Sequence, residues 1–212
     1  MKKIIIDPGH GGSDPGAVSK GAVEKDINLS IALFLQYELL LKNYGVSLTR
    51  VDDETLSLSD RCGIANTKEA DLFVSIHCDA FDDERPSGMT VFKYPSVKHN
   101  LAECIQTKLA KDFSDHMQRG VKEERFYVLR KTKMPSVLIE CEFITNPNGR
   151  EFLTRPENRV NLAHSIANGI DAFQAGDASQ QTHSVNNTKV VATCSKCGME
   201  HYSHMSAANC CR

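Results

Sequence analysis

The stretch KIIIDPGHGGSDPGAVSKGAVEKDINLSIALFLQYELLLKNYGVSLTR, residues 3–50, decides the fold. Its β-branched run from Lys3 to Asp7 stops at Pro8-Gly9, the pattern of a buried strand entering a loop. After a glycine-rich segment, Gly9 to Gly21, an apolar stripe at Ile27, Ile31, Phe34, Leu35 and Leu39 predicts a helix from about Glu24 to Asn43, with Gly45 as its C-cap. Val46 to Arg50 then reads as a second strand. Strand, helix and strand make a βαβ unit, whose strands run parallel with a right-handed crossover.

The alternation continues outward. A helix is predicted over about 59–70, a strand over 71–77 (DLFVSIH) and another over 88–94. An amphipathic helix follows over 100–116, a strand over 135–143 (PSVLIECEF) and a last helix over 157–173. This order predicts an α/β fold with a single, mostly parallel twisted sheet and helices on both faces. In such sheets the chemistry gathers in loops beyond the strand C-termini.

A length of 212 residues with 41% hydrophobic content accommodates one sizeable domain and an appendage. The 25 Lys and Arg residues nearly cancel the 27 Asp and Glu, leaving −2, so no nucleic-acid partner is expected. The apolar run Ile31 to Leu35 is far too short for a membrane span. The start, MKKIIIDPGH, lacks the apolar core of a secretory signal peptide, so the chain is expected to be cytoplasmic until released. Eight cysteines in that setting point to metal or thiol chemistry ahead of disulfides. They fall in two regimes. Cys62, Cys78, Cys104 and Cys141 are scattered singly, whereas Cys194, Cys197, Cys210 and Cys211 crowd the end. Around AGDASQQTHSVNNT (175–188) no apolar periodicity remains. The division is therefore a main domain over 1–175, a linker over 176–190 and a Cys/His-rich module over 191–212.

Three strand ends deliver ionisable residues: His10 after the first, His77 at the end of the third, and Glu140 within the last. Glu24 opens the first helix across the glycine loop from His10. Two imidazoles and a carboxylate form the ligand set of a catalytic zinc, and a further carboxylate would serve as general base. Each residue also has a plainer use. His10 can cap its loop, Glu24 can answer the helix dipole, His77 can bond a carbonyl in the core, and Glu140 can be half of a buried ion pair.

The strings IIIDPGHGGSDPGA (4–17), Glu24-Lys25-Asp26, LTR (48–50), LSDR (58–61), Ala65-Asn66, DLFVSIHCDA (71–80) and PSVLIECEFITNP (135–147) closely resemble the zinc-dependent N-acetylmuramoyl-L-alanine amidases of the Amidase_3 type. The resemblance runs in order over about residues 2 to 173. It implies that His10, Glu24 and His77 bind one catalytic Zn2+ and that Glu140 is the catalytic carboxylate. It further implies a peptidoglycan substrate, cut at the amide between the lactyl group of N-acetylmuramic acid and L-alanine of the stem peptide. With no secretory signal, the chain resembles phage endolysins most. A mother-cell or host autolysin of the same activity is the alternative, and a non-catalytic zinc-containing wall-binding protein is the competing class.

Two positions depart from the family pattern. Glu142 stands where the family usually has glycine, and strand alternation puts it on the face of Glu140, as a subsite or base-sharing residue. Cys78 follows the histidine where alanine is common, and alternation turns it away from the metal. Asp79, on the face of His77, is the candidate to hydrogen-bond a ligand histidine and hold its ring in place. Only Phe81 to Ser87 separates the His77 strand from the next, too short for an inhibitory helix, so an open cleft is expected. No HExxH, G-x-S-x-G or P-loop motif occurs.

The end of the chain, TCSKCGMEHYSHMSAANCCR, offers Cys194, Cys197, His201, His204, Cys210 and Cys211 as ligands for a second, structural zinc. About 20 residues cannot fold on apolar burial alone. Wall targeting and homodimer formation are both open for it, although the absence of Trp weakens sugar recognition. Metal analysis tests the division. Two zinc equivalents in the full chain, falling to one when 177–212 are deleted, are expected if the tail holds its own ion; one equivalent in both would refute a tail site.

Overall fold

In this computed structural model the structure describes residues 1–177, together with the backbone of 192–193 and 200–201. The body follows the predicted order. β1 (Lys3–Pro8) leads through a small hairpin, β2 (Val18–Ser19) and β3 (Ala22–Val23), into α1 (Glu24–Leu41), and β4 (Gly45–Leu48) returns. Then come α2 (Leu58–Thr67), β5 (Leu72–Asp79), β6 (Met89–Lys93), α3 (Leu101–Asp112), β7 (Gln118–Glu123) and α4 (Tyr127–Lys131). β8 (Ser136–Phe143), α5 (Pro147–Thr154) and α6 (Pro156–Asp177) complete the body. In the tail, β9 (Ala192–Thr193) pairs antiparallel with β10 (Glu200–His201). The predicted structural-zinc ligands and the homodimer contact lie outside the described residues, apart from the backbone of His201.

Six strands form one sheet in the order β4-β1-β5-β8-β6-β7. Pairing is parallel throughout except where β6 meets β8, so the sheet is mostly parallel, as expected. The chain crosses from β1 to β4 on one side, then returns past β1 to β5. The switch point of the sheet therefore lies between β1 and β5, where open α/β sheets bind ligands beyond the strand ends.

The two faces carry separate cores. Under α1, α3 and α6 lie Ile4, Ile6, Ile31, Leu35, Val74, Ile76, Leu101, Ile105, Ile139 and Ile166. Under α2 and α4 lie the fewer residues Ile5, Cys62, Ala65, Phe73, Val128, Leu129 and Leu138. Ile4, Ile5 and Ile6 alternate between these faces, which is why β1 reads as an uninterrupted apolar run.

Several elements differ from expectation. Gly45 is not the C-cap of α1; Asn43 takes the left-handed conformation, with φ 62°, and Gly45 opens β4. Asparagine tolerates that conformation because its short polar side chain bonds locally. α2 starts at Leu58 because Ser57 and Asp60 form a reciprocal capping box. The strand β7 (QRGVKE) and the short helices α4 and α5 are not among the predicted elements. α5 is started by Asn146, whose side chain accepts from the Asn148 and Gly149 N–H groups, with Pro147 following. α6 continues through Asp177, two residues into the segment assigned to the linker. The β5–β6 connection, residues 80–88, contains no helix, as expected. Among the described residues no helix is long and apolar enough to cross a membrane.

Asp7, 1% exposed at the end of β1, accepts from Thr49 Oγ1 at 2.7 Å, Ser75 Oγ at 2.8 Å and Arg61 Nη1 at 2.8 Å. Arg61, from α2, is itself buried and also donates to the carbonyls of Pro8 and His10, each at 2.7 Å. Arg61→Leu leaves the Asp7 carboxylate buried without its cation. A loss of about 3–5 kcal/mol of unfolding free energy is expected in urea melts of the full chain; a loss below about 1 kcal/mol would show the pair to be dispensable.

Candidate active site

The loop after β1 is shaped by backbone constraints before any chemistry is considered. His10 adopts φ 60°, a left-handed conformation that non-glycine residues seldom take. The Arg50 guanidinium helps hold it there, donating to the carbonyls of Pro8 at 3.1 Å, Gly9 at 3.0 Å and Lys25 at 2.9 Å. Two glycines leave the room. A Cβ on Gly9 would sit 2.2 Å from His77 Cε1, and one on Gly16 would sit 2.5 Å from Glu24 Oε2 and 2.7 Å from His10 Cδ2.

His10, Glu24 and His77 meet in that space. One ligand-type atom from each lies within 4.8 Å of the others, and this is the one such cluster of His, Cys, Asp and Glu found among the described residues. Glu24 Oε1 is 3.2 Å from His10 Nε2 and 3.1 Å from His77 Nδ1. The carboxylate is 4% exposed and firmly held: Oε2 accepts from Ala17 N at 2.8 Å, and Oε1 from Cys78 N at 3.1 Å and Asn28 Nδ2 at 3.2 Å. Burial alone would raise its pKa, but hydrogen bonds from both imidazoles overcome burial and keep it well below the usual carboxylate range. The two rings stand edge to face, with centroids 4.9 Å apart. Two imidazole nitrogens and a fixed carboxylate, converging where even a methyl group would clash, fit a small divalent cation.

The outer nitrogen of His10 is also controlled. Nδ1 lies 2.8 Å from Asp14 Oδ2, and the other Asp14 oxygen accepts from Gly16 N at 3.0 Å. A carboxylate on the far nitrogen of a ligating histidine fixes its tautomer and orientation. Asp14 was missed in the sequence reading, although it stands four residues after His10 in the same loop. Asp79, the residue expected in that role, instead turns Oδ1 to Ala80 N at 2.9 Å.

Glu140 lies beside the cluster, because β8 pairs with β5 so that Glu140 is opposite His77. Burial first, then the Asp79 and Glu24 carboxylates, push its pKa well above the ordinary value. With His10 and His77 it lines a cleft of about 580 Å³, whose lining also includes the apolar side chains of Phe126, Tyr127, Val128 and Leu138.

Glu142 does not share this face. Between His77 and Asp79 on β5 the register on β8 advances from Glu140 to Phe143, so β8 carries one extra residue, a bulge. The bulge breaks the two-residue alternation on which the expectation rested. Glu142 is 2% exposed and is taken up by Gly88 N, by Phe143 N at 2.9 Å and by His116 Nδ1 at 3.3 Å. Cys78 points under α1, with Sγ 3.4 Å from Asn28 Oδ1, and burial pushes its thiol far above the range of a reactive cysteine.

A carboxyl group that holds a proton readily, set beside a triad that could hold a cation in a partly apolar cleft, has the groups a metal-assisted hydrolase would need. Comparison with known proteins makes the class specific. The chain belongs to the N-acetylmuramoyl-L-alanine amidase family, whose model matches residues 4–172. It is 39% identical over 175 residues to the uncharacterized protein YqiI of Bacillus subtilis, covering 81% of this chain and 84% of that one. It is 40% identical over 175 residues to the N-acetylmuramoyl-L-alanine amidase LytC of B. subtilis, covering 80% of this chain but only 35% of LytC. Among solved structures, the CwlD amidase of Clostridioides difficile, in complex with the GerS lipoprotein, superposes with a TM-score of 0.81 at 34% identity, covering 84% of this chain and all of that one (100%). The amidase of Clostridium difficile 630 gives 0.79 at 34% identity, covering 82% and 97%.

Asp14→Asn keeps the shape of the loop while removing the charge behind His10. Competition with a chelator is expected to show metal affinity reduced about 10–100-fold; unchanged affinity would deny Asp14 that role.

Proposed function

We propose that the chain is a zinc-dependent amidase that hydrolyses the bond between the lactyl group of N-acetylmuramic acid and the L-alanine of the stem peptide. The observation that carries this reading is the convergence of His10, Glu24 and His77 within 4.8 Å beside Glu140. His10, Glu24 and His77 would hold the ion. Zinc, when bound there, would supply Lewis-acid polarisation of the scissile carbonyl and make water more acidic.

The chain's own residues account for the rest. Glu140 takes a proton from the attacking water and returns it to the departing amine nitrogen, so the group ends as it began. The burial and the Asp79 and Glu24 carboxylates that raise its pKa favour the first of these transfers, the uptake of the proton. Asp14 holds the His10 ring, and the Arg50 and Arg61 donors hold the backbone that carries it. Phe126, Tyr127 and Val128 give the cleft lining an apolar part.

Relatives named as amidases include LytC and CwlM of Bacillus and the probable cell wall amidase LytH of Staphylococcus aureus. That supports a bacterial autolysin of this activity over the phage endolysin preferred from the sequence. The runner-up class, a wall-binding protein without turnover, is separated by one substitution. Glu140→Gln is expected to lower release of stem peptides from muropeptide by about 10²–10⁴-fold, with zinc content retained. Turnover that survives the substitution would remove Glu140 from the chemistry, and a wild-type chain that binds wall without releasing peptide would establish the binding module.

A further inference from the structure

Two buried oxygens without partners sit on side chains that face each other across the sheet. In the antiparallel pairing of β6 with β8, Thr90 is opposite Glu140. The flanking residues Met89 and Val91 pack into the core under α1, α3 and α6, whereas Phe92 packs on the opposite face with Leu138, its own register partner. Alternation therefore puts Thr90 on the cleft face with Glu140, completing a row His77, Glu140, Thr90 across three strands. Thr90 is 0% exposed, and its Oγ1 has no hydrogen-bond partner. Glu140 Oε2 is buried and equally unpartnered.

Orphaned buried hydroxyls and carboxyl oxygens are rare because both lose their hydration. On the far side of Thr90 the register partner is Gly120, which offers no side chain. Directly opposed side chains in antiparallel strands have Cβ atoms about 4.5–5.5 Å apart, within reach of a hydroxyl after rotation about one bond. A β-branched apolar residue would otherwise suit this strand position better than threonine.

We infer that Thr90 is a positioning residue for Glu140: its hydroxyl donates to Oε2, fixes the plane of the carboxyl group and leaves Oε1 to face the cleft. The donor also offsets the repulsion that Asp79 and Glu24 exert on the Glu140 carboxylate. This role rests on the reading of Glu140 as the group that moves the proton, and the tests keep the two apart.

Three variants of the full chain, Thr90→Val, Thr90→Ser and Glu140→Gln, are assayed on muropeptide with zinc supplied. The valine variant keeps shape and removes the donor, so kcat is expected to fall about 10–100-fold with KM nearly unchanged. The serine variant keeps the donor and should stay within about threefold of wild type. If valine and serine both match wild type, or both fall equally, the inference is overturned, while an inactive Glu140→Gln still upholds the parent reading. An active Glu140→Gln overturns both.

A second readout needs no turnover. Urea unfolding of chelator-treated wild type, Thr90→Val, Glu140→Ala and the double variant forms a double-mutant cycle. Non-additive losses are expected, and additive losses contradict the contact. Should the valine variant not fold, Thr90→Ala compared with Thr90→Ser makes the same distinction in both assays.

Discussion

The site depends on the buried pair between Asp7 and Arg61. It joins the end of β1 to α2 in a region closed to water, and each partner has a second task. Asp7 also gathers Thr49 beyond β4 and Ser75 on β5, so three neighbouring strands are tied to one carboxylate. Arg61 spends its remaining donors on the carbonyls of Pro8 and His10, and Arg50 spends its own on Pro8 and Gly9. Backbone carbonyls in an irregular buried turn need donors as much as strands do. Two guanidiniums supply them, which allows His10 to persist in a left-handed conformation pointed at Glu24 and His77.

With that loop fixed, the sheet does the remaining placement. His10 and His77 leave β1 and β5, the two strands that flank the switch point, and Glu140 comes from the next strand over. Glu24 enters from α1 and is anchored by the backbone of Ala17 and Cys78 on opposite sides of the cleft. The bulge on β8 then separates two glutamates that are only two residues apart. Glu140 stays on the cleft face with one oxygen unpartnered, while Glu142 is satisfied by Gly88, Phe143 and His116. Had β8 remained regular, both carboxylates would have crowded one face at a repulsive cost. Glu142 thus binds the β5–β6 connection to β8 instead of facing the cleft beside Glu140.

The two halves of the body differ in how legible they are. β1, α1, β5 and β8 could be read from residues because their apolar patterns are long and their burial is two-sided, as in Ile4 to Ile6 or Val137 to Ile139. β7 was missed because an edge strand buries little and its sequence, QRGVKE, has no alternation to find. α4 has only five residues and α5 only eight, too few for an apolar period to repeat. Asp14 escaped notice for a different reason: in a loop of glycines, proline and serine, an aspartate also reads as an ordinary turn residue.

The sequence by itself determined the α/β order and the family, and it singled out His10, Glu24, His77 and Glu140 as candidates, since apolar periodicity and local motifs are properties of neighbouring positions. Tertiary structure decided what each polar residue faces. Whether Asp14 or Asp79 holds a histidine, whether Glu142 shares a cleft with Glu140, and whether Thr90 stands behind that same carboxylate all depend on strand register and on one inserted residue in β8. Register and bulges are set by packing between distant segments, so no local pattern records them.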